Sequence, residues 1–288
     1  MPFCQKPPAN HPDAKHHHAF KPSLIGTVFF LLTSFLAVHA LAGNTQPLTN
    51  VLIISIDALH PEALELTKIP ALNRLVQTGA FSLNGRSTEP PKTLIAHTAM
   101  FTGMSPGESG KVDNEWMPGE TTVNKETIFD SGRRNGFKTG YFYSKEKLGY
   151  LVNRAVDVYE WSRDGAIDSA IAFLKTPGRH FTFLHVSGLD QVGPEYGWLS
   201  PEYLEELSFT DDYLSTLIET VIEKHCYLLI VTSDHAGHGK VHGSEHPEDY
   251  RLPLIVCSDT VNVKRFQGIP FSVVDLKLLI ENLLKNAS

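Results

Sequence analysis

Residues Tyr227 to Val256 read YLLIVTSDHAGHGKVHGSEHPEDYRLPLIV. The stretch opens on an apolar run, Tyr227 to Val231, with the length and β-branched character of a buried strand. The run stops at Ser233-Asp234-His235. A glycine-punctuated loop follows, carrying His238, His242 and His246, and a second apolar run spans Leu252 to Val256. Four of the chain's 14 histidines thus fall within twelve residues, just past a strand end. One histidine there would read as part of a solvated loop. An Asp-His pair with three further histidines points instead to a metal, zinc above all, because imidazole and carboxylate are its usual ligands. The glycines let the backbone bend sharply enough to aim several side chains at one point.

The chain has 288 residues and is 42% hydrophobic, enough for one large α/β domain with a sizeable core. Residues 1–21 are polar. After them, Ser23 to Gly43 is an apolar run with Lys21 in front and Ala40-Leu41-Ala42 behind. A basic flank, an apolar centre and small residues at the −3 and −1 positions make a secretory signal peptide cut after Ala42. The alternative is an uncleaved signal anchor, since the run is nearly long enough to span a bilayer. Residues 1–42 are therefore read as a leader, and residues 43–288 as a single domain that is secreted or periplasmic. A membrane is a partner only if the leader stays in place.

Lys6, Lys15, Lys21 and Asp13 precede the cut, so the rest carries 22 basic and 31 acidic side chains, a formal charge of −9. That balance argues against a nucleic-acid polymer as partner. Cys226 and Cys257 remain, each flanking one of the two apolar runs. They read as buried thiols, although the compartment permits a disulfide.

Along the chain, Asn50 to Ile56 reads as a strand ending in Asp57. Helical patterns follow at Pro61 to Lys68 and Ile69 to Ala80, then a polar segment with Pro90-Pro91, a helix from Thr93 to Gly103, and a loop over residues 105–125. Helix Glu126 to Asn135, strand Lys138 to Tyr143, helix Asp164 to Lys175, strand Phe181 to Val186 and helix Pro201 to Lys224 come next. The histidine stretch follows, and a last helix runs from about Phe271 to Leu284. Alternating strands and helices predict an α/β fold, a mostly parallel sheet flanked by helices on both faces.

Asp57, Asp190 and Asp234 each lie just past the C-terminal end of a strand, the edge where open α/β sheets bind ligands. One such acid is commonly a helix cap; three beside a histidine loop are better explained by a site. Thr93 follows a Pro-Pro-Lys turn and begins a helix, where free N–H groups and the helix dipole favour negative charge. Alone it would read as an N-cap. A metal nearby would lower its hydroxyl pKa and make it a nucleophile.

Taken together, strand-Asp57, Lys92-Thr93-x-x-x-His97 with Thr102-Gly103, Asp190-x-x-Gly193 and Ser233-Asp234-His235 resemble the alkaline phosphatase superfamily. The branch resembled is the type I phosphodiesterase / nucleotide pyrophosphatase one, over roughly Val51 to Ile280. The resemblance implies an alkaline-phosphatase-like fold and two metals, usually zinc. It implies one metal on Asp57, Thr93, Asp234 and His235. The other would sit on Asp190 and a later histidine, His242 first and His238 second. Asn114 matches the asparagine that contacts a phosphate oxygen. The implied activity is hydrolysis of phosphate esters, diesters above all, on a small or nucleotide-like substrate with Thr93 as nucleophile. A threonine there disfavours the sulfatase branch.

One position departs from the pattern. Asp190-Gln-Val-Gly193 is followed by Pro194, where the family has a metal-binding histidine. Glu195, His185 or His246 could stand in. Failing that, the second site is incomplete, and the alternative is a weakly active or non-catalytic metal-binding homologue.

Overall fold

Seven consecutive buried residues, Asn50–Ile56, form β1 at the middle of an eight-stranded sheet. This is a computed structural model, and it describes residues 47–286. The leader reading lies outside the described residues. Within them, no helix is long and apolar enough to cross a membrane.

The other strands are β2 (Ala80–Arg86), β3 (Lys138–Tyr143), β4 (Val158–Trp161), β5 (His180–Val186), β6 (Tyr227–Thr232), β7 (Arg251–Ser258) and β8 (Phe271–Ser272). Their order is β4-β3-β5-β1-β6-β7-β2-β8. β1 lies between β5 and β6 and is parallel to both. β7 is antiparallel to both its neighbours, β6 and β2. The helices are α1 (Ala63–Leu66), α2 (Pro70–Thr78), α3 (Thr93–Thr102), α4 (Pro106–Ser109), α5 (Ile128–Arg134), α6 (Ala166–Leu174), α7 (Gly188–Tyr196), α8 (Pro201–Ile222) and α9 (Leu276–Lys285).

Strand side chains alternate between faces, so β1 feeds two cores at once. Val51 and Ile53, with Leu228 and Ile230 of β6, pack against α3, α5 and α9. Leu52, Ile54 and Ile56, with Leu229 and Val231, pack against α2, α6 and α8. A strand buried on both sides needs a continuous apolar sequence, and β1 and β6 have one. Emptying either core is costly. Truncating a fully buried leucine such as Leu214 to alanine typically costs about 2–5 kcal/mol.

Several sequence expectations shift. The helix expected from Pro61 is only the four-residue α1. α2 stops at Thr78, and Ala80 to Arg86 turns into β2, whose half-buried, Asn- and Gly-containing sequence carries a weak strand signal. β4 is an edge strand with mostly exposed side chains. Asp190 lies within α7, whose glycines and Pro194 disguise it as loop. The segment at Phe271 pairs with β2 before α9 begins. Cys226 and Cys257 are free thiols.

Candidate active site

The C-terminal ends of β1, β3, β5 and β6 are neighbours, and the segments leaving them meet. β1 delivers Asp57. The next residue, Ala58, holds φ 63, a left-handed conformation that costs a non-glycine residue about 1–2 kcal/mol. The surroundings stabilise it. Its N–H donates to Asp234 Oδ1 (3.2 Å), and its carbonyl accepts from the Tyr203 hydroxyl (2.6 Å) and Trp198 Nε1 (3.3 Å). The kink thereby ties the end of β1 to the end of β6.

At that junction lie four buried polar atoms that have no hydrogen-bond partner: Asp57 Oδ1, Asp190 Oδ1, Asp234 Oδ2 and His235 Nε2. His235 Nε2 is 3.3 Å from Asp57 Oδ1 and 3.6 Å from each of the other two oxygens. The ring's Nδ1 donates to the Ala236 carbonyl (2.9 Å), which can only accept. A neutral ring therefore aims a lone pair at three carboxylate oxygens. Either a proton or a cation must relieve that repulsion. Burial opposes protonation, but Asp234 and Asp57 outweigh it and raise His235 to about 9. Fixing one imidazole nitrogen on a carbonyl while the other faces carboxylates is how proteins prepare a histidine to bind a metal. Asp57, Asp234 and His235 form a compact buried group, so the chain's donors fit one divalent cation there.

Thr93 opens α3 and is buried. Lys92, not Thr93, occupies the N-cap, and its side chain makes no capping bond; the Thr93 hydroxyl caps nothing either. The following N–H, of Leu94, donates to Asn114 Oδ1 (2.8 Å), which fixes the Asn114 amide beside Thr93. One turn on, His97 bonds the Thr93 carbonyl (2.8 Å) and Ser55 Oγ (2.9 Å). Burial lowers His97 to about 4, so it stays neutral and braces the start of α3.

Asp190 and His242 do come together. His242 Nε2 is 3.4 Å from Asp190 Oδ1, and its ring stacks on His235 at 5.0 Å between centroids. His238 turns away, bonding Asp249 Oδ1 (2.7 Å) and stacking on His246. The three stand-ins for the histidine absent at Pro194 are engaged elsewhere. His185 Nε2 bonds Asp57 Oδ2 (3.0 Å), and its Nδ1 meets Ser144 Oγ (2.9 Å). His246 accepts from the Glu248 N–H at the surface. Glu195 is exposed.

A residue that the sequence reading passed over fills the gap. Lys145 Nζ lies 2.5 Å from Asp57 Oδ2, 2.6 Å from Asp190 Oδ2 and 3.2 Å from Thr93 Oγ1. It sits two residues past the end of β3, the same edge position that singles out the three acids. That placement was the available signal, but a lone lysine reads as a solvated charge. Burial raises Asp57, yet Lys145, then His185 and His235, outweigh it and hold the carboxyl well below its usual range. Asp190 is raised, by burial and by the charge of Asp57. Burial opposes the Lys145 charge, and Asp57 and Asp190 outweigh it, so the ammonium persists.

Thr93, Lys145, Asp190 and His235 open onto a cavity of about 180 Å³, lined also by Asn114, Glu115, His242, Lys92 and Lys147. Its three ammonium groups outnumber its two carboxylates, Glu115 and Asp190, and with an amide and a hydroxyl they suit a compact anion. A larger cavity of about 430 Å³ lies beside it, lined by Ser144, Ser187, Gln191, Phe209 and Tyr213 among others. It holds none of the orphaned atoms.

Known proteins resemble this chain in sequence and in fold. Venom phosphodiesterase of Naja atra is 24% identical over 213 residues, covering 64% of this chain and 26% of its own. The chain spans about a quarter of the length of the curated relatives it matches. Among solved structures, murine ectonucleotide pyrophosphatase / phosphodiesterase 5, as an inactive threonine-to-alanine variant in complex with AMP, superposes with a TM-score of 0.65 at 13% identity. The match covers 83% of this chain and 95% of that one. The C-terminal periplasmic domain of EcEptC from Escherichia coli, in complex with Zn, gives 0.63 at 11% identity, covering 84% of each chain. The profile of the type I phosphodiesterase / nucleotide pyrophosphatase family matches residues 51–252, and the chain belongs to that family, with its alkaline-phosphatase-like fold.

Proposed function

We propose that the chain is a metal-dependent hydrolase of phosphate esters, diesters above monoesters, with Thr93 as its nucleophile. The observation that carries this reading is the buried convergence of Asp57, Asp234 and His235, each with an orphaned atom, behind a cavity that His235 and Thr93 both line. A divalent cation held by those residues, zinc in this reading, supplies positive charge that favours an ionised Thr93 oxygen and offsets charge on the phosphoryl group.

The chain's own groups do the rest. The Thr93 oxygen attacks phosphorus, the bond to the ester oxygen opposite breaks, and the leaving alcohol takes up a proton. Water then cleaves the phosphothreonine and regenerates the hydroxyl. Lys92 and Lys147 bring positive charge to the cavity that receives the phosphoryl oxygens, and the Asn114 amide is available to donate to one of them. His97 and Asn114 hold Thr93 at the helix start, where the peptide dipoles favour an anion. Nucleotide-like esters are the substrates this reading favours, because the murine relative is described with AMP. The same relative's inactive form replaces a threonine by alanine, in keeping with a threonine nucleophile. The leader pattern of residues 23–42 supports action outside the cytoplasm.

Pro194 favours a second reading, a metal-binding homologue of little or no turnover. Assay of the purified protein with aryl phosphate mono- and diesters, alongside elemental analysis, separates the two. Zinc-dependent, diester-preferring release of phenol supports the hydrolase; bound zinc without release supports the homologue.

A further inference from the structure

The donors of the second set do not fit a second metal. Asp190 and His242 are its only exclusive members, because His235 belongs equally to the first set and Pro194 offers no donor. One of the two Asp190 oxygens is already held by Lys145 at 2.6 Å. Catalytic zinc sites ordinarily have three protein ligands.

We infer that Lys145 occupies the place of the second cation, so that the site works with one dication and one built-in ammonium. This rests on the hydrolase reading above. Three observations carry it. The ammonium contacts one carboxylate from each set, Asp57 and Asp190, as a bridging cation would. It also touches the Thr93 oxygen at 3.2 Å, the reacting atom of the proposed chemistry, which makes it a catalytic residue and not merely a structural pair. And among the groups in direct contact, one dication with one ammonium balances three carboxylates, Asp57, Asp190 and Asp234, whereas two dications and the lysine would overshoot. An ammonium differs from a metal in one chemical respect. It donates hydrogen bonds and offers charge, but it has no open coordination position at which to hold water. The lysine therefore steadies the Thr93 oxygen with the one N–H that Asp57 and Asp190 leave it, while water attacking the phosphothreonine comes from the cavity.

The test counts zinc, not turnover. Wild type, Lys145→Met and the double variant Lys145→Met/Pro194→His are equilibrated with zinc and examined by native mass spectrometry and elemental analysis. The expected counts are one zinc per chain in the wild type and two in the double variant. Two zinc ions in the wild type bound within tenfold of each other overturn the inference, and so does a double variant that stays at one. Should the double variant not fold, a zinc-soaked crystal of the wild type decides. One anomalous peak beside Asp57, Asp234 and His235, with Lys145 still on Asp190, is the expected result. A second peak beside Asp190 with Lys145 displaced overturns it. Neither readout involves ester hydrolysis, so an inactive protein would sink the hydrolase reading and leave the count to judge Lys145 separately.

Discussion

The two ligand groups share a wall, His235, yet they are built differently. Asp57, Asp234 and His235 are all fully buried and come from adjacent parallel strands, β1 and β6. Asp190 and His242 are partly exposed. One sits in a short helix that contains a proline, the other in a loop with glycines on both sides. The first group is fixed by the sheet and by the Ala58 kink, which ties it from behind. The second depends on α7, which leans on α8 through Leu189 and Gly188, and on a glycine loop that packs on Trp198. The difference teaches where such a site can tolerate loss. A donor on a strand end cannot drift without moving the core, whereas a donor on a surface helix can be replaced by any neighbour that brings charge. Lys145 is that neighbour.

The largest expected effect falls on the nucleophile, which the two groups share. Thr93→Ala removes a hydroxyl that caps nothing, so the fold should survive. Turnover of an aryl diester should drop by several orders of magnitude, on the order of 10⁴-fold. If the variant keeps more than about a tenth of wild-type turnover, attack does not come from Thr93 and the comparison loses its common centre.

Next comes the first group itself. Asp234→Asn keeps the acceptor for the Ala58 N–H but removes the charge beside His235. Loss of an outer partner alone commonly costs 10–100-fold in metal affinity, so loss of a direct carboxylate should cost on the order of a hundredfold or more. Competition for zinc with a calibrated chelator measures it. An affinity unchanged within threefold would place the cation elsewhere.

Much of this was legible in the sequence, for definite reasons. β1, β5 and β6 are buried on both faces, so their apolar runs announce them, and the acids past their ends can be read as a set. The absent donor at Pro194 is legible because proline has no side-chain ligand. What escaped is what depends on contact across the sheet. β2 and β4 expose much of their surface, so their sequences carry little alternation. α7 hides behind two glycines and a proline. Lys145 belongs to the same edge as the acids, but a lysine's meaning depends on what it meets, and Asp57 and Asp190 are 88 and 45 positions away in the chain.

A smaller effect separates the site from the scaffold. β5 carries a histidine at each end. His185 faces Asp57, whereas His180 is buried with neutral partners, Asn50 Oδ1 (3.3 Å) and Thr176 Oγ1 (2.9 Å). Burial, then Lys224 and Lys138, lower His180 to about 4. A depressed folded pKa means that the stabilising contribution is complete above the unfolded value near 6.5 and drains away as pH falls toward 4. Chelator-treated protein should therefore lose about 2 kcal/mol between those limits from this residue. His180→Gln should show that much less acid sensitivity in urea titrations at pH 7 and pH 4.5. Equal slopes for the two proteins would remove His180 as the cause, and acid loss would then trace to the carboxylates of the site.

The smallest expected effect is the most pointed, because it pits one group against the other. His242 and His235 stack nearly parallel, 4° apart, and each has a nitrogen within 3.6 Å of Asp190 Oδ1. By sequence pattern alone both are ligands. If the cation belongs to the first group and Lys145 serves the second, His235→Ala should strip the zinc. His242→Ala should then leave both the zinc count and its affinity within about twofold of wild type, a change of about 0.4 kcal/mol. Burial, then the neighbouring His235 charge, lower the pKa of His242, so it adds little charge of its own to lose. His238→Ala, which touches Asp249 and not Asp190, serves as the control for loop damage. A tenfold weakening in His242→Ala but not in His238→Ala would mean that the second group does hold a metal. Lys145 would then have to move aside to admit it.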